Sequence, residues 1–104
     1  MFTKTALKNL LTSFYKDLEA KDFQPEKLIL FGSYAKGGVH AYSDVDVAVW
    51  SPVFTGEFGD FEMIKPVLRS YPAIQAKLYP SFADEKNFDP FIEEIKRTGV
   101  VIYE

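Results

Sequence analysis

The run Asp44-Val45-Asp46-Val47-Ala48-Val49-Trp50 constrains this chain most, because it sets a valine at every second position. Such spacing predicts a β-strand, whose successive side chains point to opposite faces. Val45, Val47 and Val49 then share one face, which needs an apolar cover. Asp44, Asp46, Ala48 and Trp50 share the other. A strand of this kind implies a sheet with a helical layer against its valine side.

The remaining pattern supplies those layers. Leu7, Leu10, Leu11, Phe14 and Leu18 recur at helical spacing and predict a helix with one apolar stripe. Pro25 follows it, and residues 27–31 read as a short buried strand that stops at Gly32-Ser33. Gly37-Gly38 mark a loop. Pro52 and Gly56 break the valine strand. Phe61, Ile64, Val67, Leu68 and Tyr71 predict a second long helix, in which Pro66 fits the first turn or a kink. Residues 73–79 read as a third strand with Ile74, Ala76 and Leu78 inward and Gln75, Lys77 and Tyr79 on the polar side. Asp89 as N-cap and Pro90 at the first helical position open a last helix, which Gly99 closes. Residues 100–103 add a short terminal strand. The expectation is one α/β (α+β) domain over residues 1–104, a small mixed sheet with helices packed on one face.

Composition narrows the function classes. No cysteine is present, so disulfides and thiolate metal sites are excluded. The net charge of −3 and the scattered lysines, with Lys96-Arg97 the single local cluster, disfavour a nucleic-acid partner. No apolar run approaches the ~18 residues of a membrane span, and residues 1–4 lead into an amphipathic pattern rather than a signal sequence. A cytoplasmic protein is expected.

Two devices carry chemistry. Gly32-Ser33 ends a strand, where glycine permits a sharp turn and close approach to a ligand. If Ser33 opens a helical turn, its hydroxyl and the free N–H groups there can cradle phosphate oxygens. The second device is Asp44-Val45-Asp46, whose carboxylates project to one side. Two like charges there call for a cation, and Mg²⁺ suits one or two carboxylates plus phosphate oxygens. A phosphate cradle beside a metal-binding pair is what phosphoryl-type transfer needs.

Gly-Ser, ten intervening residues, then Asp-x-Asp resembles the signature of the polymerase-β-like nucleotidyltransferase superfamily. Ala35, Gly37, Ser43 and the valine run add to the likeness. The whole chain is similar to the minimal nucleotidyltransferases. The resemblance implies a nucleotidyltransferase fold and transfer of a nucleoside monophosphate, AMP from ATP, with Asp44 and Asp46 catalytic and holding Mg²⁺. Gly32, Ser33 and Ser43 of the signature are expected at the nucleotide, and Lys36 joins them as a cation able to neutralise phosphate charge. The resemblance further implies a helical HEPN-domain partner in a toxin–antitoxin pair.

One departure stands out. The resemblance implies a third carboxylate on the next strand, and residues 73–79 contain no acid. Gln75 is the residue expected at that position, with Asp84 or Glu85 as loop substitutes. Two readings follow: a transferase, or a degenerate nucleotide-binding, antitoxin-like subunit. Among the other residues, His40 reads as an exposed loop residue and Lys77 as a solvated sheet lysine or a stand-in cation. Trp50 shares the acid face and is a candidate for stacking a base, whereas Phe54, Phe58 and Phe61 read mainly as core. Phe82, Phe88 and Phe91 are core or a docking surface.

Overall fold

The Thr3 hydroxyl accepts from the Ala6 N–H at 3.1 Å and so caps helix α1, Lys4–Ala20, in the computed structural model. The structure describes residues 2–37, 44–83 and 89–104. Leu11, Phe14 and Leu18 form the buried stripe of α1, with Leu7 and Leu10 packed at its margin. After α1 come β1 (Lys27–Phe31), a one-turn helix α2 (Ser33–Lys36), β2 (Val45–Ser51), α3 (Gly59–Leu68), β3 (Ile74–Pro80), α4 (Phe91–Thr98) and β4 (Val100–Tyr103). Every long element expected from periodicity is present, its bounds shifted by a few residues at most.

The four strands lie in the order β3-β2-β1-β4. β1 runs antiparallel to β2 and to β4, while β2 and β3 are parallel. A parallel pair needs a crossover, and α3 is the helix that bridges it. The valine face behaves as its spacing demands. Val45, Val47 and Val49 have no exposed surface, and they pack with Leu28 and Leu30 of β1 under α1 and α3. Phe14 meets Tyr71 edge-on at 5.3 Å, and the Tyr71 hydroxyl donates to Asp17.

Two local features differ from the sequence reading. Pro66 lies in the last turn of α3 rather than its first, where the amide it lacks costs the helix one bond shortly before it ends. Helix α4 covers the opposite face from α1 and α3. Ile92 and Ile95 pack there on Ile29, Phe31, Ala48, Trp50 and Tyr79. The N-cap of α4 is Pro90, one residue later than expected, and Asp89 before it accepts from the Phe91 N–H at 2.9 Å. Gly99 is the C-cap of α4, and only glycine fits there, since a Cβ would stand 2.4 Å from the Ile95 carbonyl and 2.5 Å from Ile29 Cγ2. The helix end therefore lies directly on β1.

Candidate functional site

Where α4 stops covering its face, the acid pair begins. Asp46 sits near the start of β2, with Phe31 of β1 as its Cα partner on one side and Gln75 of β3 on the other. Side chains in register on neighbouring strands share a face, so Gln75 stands beside Asp46. This is the position where an acid was missed from the sequence. Asp44 lies exposed immediately before the strand. Partial burial, and secondarily the Asp44 charge, hold the Asp46 carboxyl above the usual carboxylate range.

Gly32 makes the closest approach in the site. Its φ of +72° and ψ of −150° belong to a region open essentially to glycine alone. A Cβ at Gly32 would stand 2.2 Å from Asp46 Oδ2. The turn backbone therefore abuts the carboxylate with no room for any side chain. Ser33 then opens α2, as the conditional sequence reading had it. The Gly32 carbonyl accepts from Ala35 and Lys36, and Ser33 O accepts from Gly37. Among the described residues, the Ser33 and Tyr34 N–H groups donate to no backbone carbonyl. Two amides without a backbone-carbonyl partner among the described residues, and a hydroxyl, thus stand at a turn that touches a carboxylate.

This donor set fits a phosphorylated ligand carrying a divalent cation. The amides suit anionic oxygens, and a cation shared between those oxygens and Asp46 would offset both the partial burial and the Asp44 charge that raise its carboxyl. Asp44 and Asp46 are the residues that would hold the metal. Among the described residues, no group of three or more His, Cys, Asp or Glu gathers into a larger cluster.

The other predicted residues divide. Lys36 is on α2, but its ammonium pairs with Glu94 of α4 at 3.7 Å, and Glu94 also pairs with Arg97. Glu94 borders a cleft of about 590 Å³ lined by Pro90, Glu93, Lys96 and Arg97 as well. Lys77 is in register with Ala48, and its ammonium lies 5.2 Å from the centre of the Phe91 ring. Trp50 is no stacking platform for a base. It is 2 % exposed and packs on Tyr79 at 5.1 Å between ring centres, because α4 closes that end of the face. Phe54 is core, as read, whereas Phe58, Phe61, Phe82 and Phe91 retain exposed surface. Ser43, His40, Phe88, Asp84 and Glu85 lie outside the described residues. Tyr34 was missed altogether. Its hydroxyl accepts from the Phe2 N–H at 3.0 Å and ties α2 to the chain's start, with no sequence signal beyond an aromatic after Gly-Ser.

Likeness to known proteins agrees with this geometry. Residues 11–102 match the family profile described as a nucleotidyltransferase domain. No curated protein matches the chain by sequence. Among solved structures, a protein of Sulfolobus solfataricus assigned provisionally as a nucleotidyltransferase superposes with a TM-score of 0.64 at 15% identity, over 90% of this chain and 77% of that one. A toxin–antitoxin structure with AMP-PNP gives 0.61 at 18% identity, over 92% and 72%. A mutant of the MntA–HpeT toxin–antitoxin gives 0.59 at 15%, with the same coverage. At such identities the superpositions speak for the fold. The profile, spanning nearly the whole chain and both chemical devices, speaks for more: this chain belongs to the nucleotidyltransferase-domain family of the polymerase-β-like superfamily.

Proposed function

We propose that this chain binds a nucleoside triphosphate, ATP, with Mg²⁺ at Asp44 and Asp46, and transfers its nucleoside monophosphate to an acceptor. The observation that carries this reading is the contact between the Gly32 turn and the Asp46 carboxylate, which leaves no space for a Cβ. Phosphate oxygens held by the Ser33 and Tyr34 amides would lie next to that carboxylate. Ser43 and Lys36 complete the nucleotide contacts, Lys36 after leaving Glu94. When bound, the metal would screen the phosphate charge and polarise the α-phosphorus. The protein's own part is to fix the triphosphate and hold Asp46 on a rigid strand with Asp44 just before it. We assign the chain a cytoplasmic, antitoxin-like role beside a HEPN-domain partner. The support is the fold it shares with two toxin–antitoxin structures, one containing AMP-PNP.

Calorimetry tests the site. ATP is expected to bind more tightly with Mg²⁺ than in EDTA, and Asp46→Asn to remove most of that difference while the protein remains folded. Equal affinity in both conditions would sink the metal assignment.

The register of Gln75 with Asp46 favours a second reading, in which nucleotide is bound but scarcely transferred. A neutral amide cannot replace a carboxylate at a second metal, and electrostatic stabilisation of that kind is worth several kcal/mol in a transition state. Transfer of labelled AMP is therefore expected to be slow in the wild type and faster in Gln75→Asp. Fast transfer that Gln75→Asp leaves unchanged would show that two acids suffice.

A further inference from the structure

We propose that β4 pairs edge to edge with β4 of a second copy of this chain, joining two four-stranded sheets into one continuous sheet about a two-fold axis. This goes beyond the nucleotide reading and does not depend on it. β4 closes one side of the sheet, and among the described residues no strand pairs with its outer backbone. A bare edge offers a row of unpaired N–H and C=O groups to another strand, and charge or proline is the usual protection. The two edges of this sheet differ in that respect. β3 carries Lys77 and ends on Pro80. β4 is Val-Val-Ile-Tyr, without a charge, and its side chains are 38–52% exposed.

The register of β4 selects the occupant. Val100 is the Cα partner of Leu30, Val101 of Ile29 and Tyr103 of Leu28, so β4 spends one extra residue, Ile102, between the last two. This bulge puts Val100 and Tyr103 on one face, the valine side of the sheet, where Tyr103 stacks on Tyr15 at 4.1 Å between ring centres. In a regular strand two residues three apart lie on opposite faces. An antiparallel copy laid over all four residues sets Val100 against Tyr103 and Val101 against Ile102, twice over by symmetry. Val100 and Tyr103 then share a face, as paired residues must. The bulge in one copy matches the bulge in the other, whereas a regular strand in its place would match one end and miss the other.

Charge agrees with this register. Glu104 comes opposite Gly99 of the second copy, just past the last turn of α4, which carries Lys96 and Arg97. The Arg97 side chain is 70% exposed there. Opposite charges therefore meet at both ends of the joint. The contact is isologous, so it uses up both β4 edges and closes at two copies, while Lys77 and Pro80 guard the β3 edges against further growth. Asp46 lies on β2, separated from the joint by β1, and the acid pair stays open in each copy.

Sedimentation of the whole protein over a concentration series tests the pairing. The joint is small, so a dissociation constant on the order of 10–100 µM is expected, with the apparent mass rising toward twice that of the monomer. Val101→Lys sets a charge on each side of the axis and should hold the protein monomeric. Its urea midpoint in dilute solution should stay near wild type, because the side chain is exposed. The chain has no cysteine, so disulfide capture can read the register. An equimolar mixture of Val100→Cys and Tyr103→Cys proteins should cross-link under mild oxidation, and neither protein alone. Like residues lie about 10 Å apart along the paired strands, and a disulfide spans about 4.4–6.8 Å between Cα atoms. A wild type that stays monomeric up to millimolar concentration overturns the proposal. So does a Val101→Lys protein that still dimerises, or cross-linking as fast in either cysteine protein alone as in the mixture.

Discussion

The two faces of β2 belong to the same seven residues and have opposite fates. On one, Val45, Val47 and Val49 are sealed under α1 and α3 along the whole strand. On the other, cover is graded: Trp50 and Ala48 are buried below α4, and Asp46 is only partly covered. The valine face is uniform because packing is its whole task. The acid face is sealed at one end and open at the other, which places a carboxylate beside Phe31, Gly32 and Gln75 while its neighbours hold the strand rigid. Stability and chemistry are thus separated by the pleat of a single strand.

The harshest way to break that division is to put the same amide on each face in turn. Val47→Asn buries an amide among Leu30, Ala76 and the helices, where no partner awaits it. We expect a loss of about 3 kcal/mol or more, a large share of the about 5–15 kcal/mol that holds such a domain. Urea unfolding measures it. A loss near zero would mean that the valine face admits water. Asp46→Asn, one residue away, should leave the urea midpoint close to wild type.

Gly32→Ala comes next, because it strikes where the two faces' demands meet. The substitution adds about 1–3 kcal/mol of backbone strain at positive φ. It also forces Asp46 off its place. Each kcal/mol should lower the melting temperature by about 4–8 °C in a domain of this size. Mg-ATP affinity should be lost in the folded protein. If Gly32→Ala melts lower yet binds Mg-ATP normally, the turn is structural and the contact with Asp46 has no role in binding.

What the sequence disclosed follows the same division. The apolar stripe of α1 and the valine alternation are periodic, so burial of Phe14, Leu18 and Val47 could be read directly. Asp89-Pro90 gave the start of α4 through capping chemistry. Period two also tells which residues of a strand share a face, so Gln75 could be picked as the vacated acid position. It does not tell which strand lies alongside, so the parallel pairing that sets Gln75 beside Asp46 appeared only in three dimensions. Trp50 misled for a related reason. Sharing a face with Asp46 says nothing of where along that face a helix lands. The fate of Lys36 was equally hidden, since its partner Glu94 lies 58 residues away in the chain.

A milder test sharpens the open end of the acid face. Ser33→Ala removes one hydroxyl from the Gly32-Ser33 turn and leaves the backbone amides in place. Triphosphate binding should weaken by about 1–2 kcal/mol, the scale of a hydrogen bond to a charged group. Lys36→Met should cost less in stability than Ser33→Ala costs in affinity, because the Lys36–Glu94 pair is exposed and such pairs contribute little. Unchanged calorimetric affinity in Ser33→Ala would reduce Gly32-Ser33 to an ordinary turn.

The smallest effect concerns Asp46 itself and carries a sign that can fail. Burial, and then Asp44, raise its carboxyl above the ordinary 3.8, so folding favours the protonated form. An acid raised on folding contributes stability below its unfolded value and loses that contribution as pH climbs through the folded one. At neutral pH and without metal, Asp46→Asn should therefore be slightly more stable than the wild type. Solvent screening at this partly exposed site keeps the gain below about 1 kcal/mol. The gap should close as pH falls below 3.8, where the wild-type carboxyl is also neutral. Added Mg-ATP should invert the order, since a ligand at a hundred times its Kd stabilises the protein that binds it by about 2.7 kcal/mol. Urea midpoints at pH 3, 5 and 7, with and without nucleotide, measure both signs. A wild type that is the more stable at neutral pH before any ligand is added would mean that Asp46 already has a favourable partner in the fold, and that its charge is not waiting for a cation.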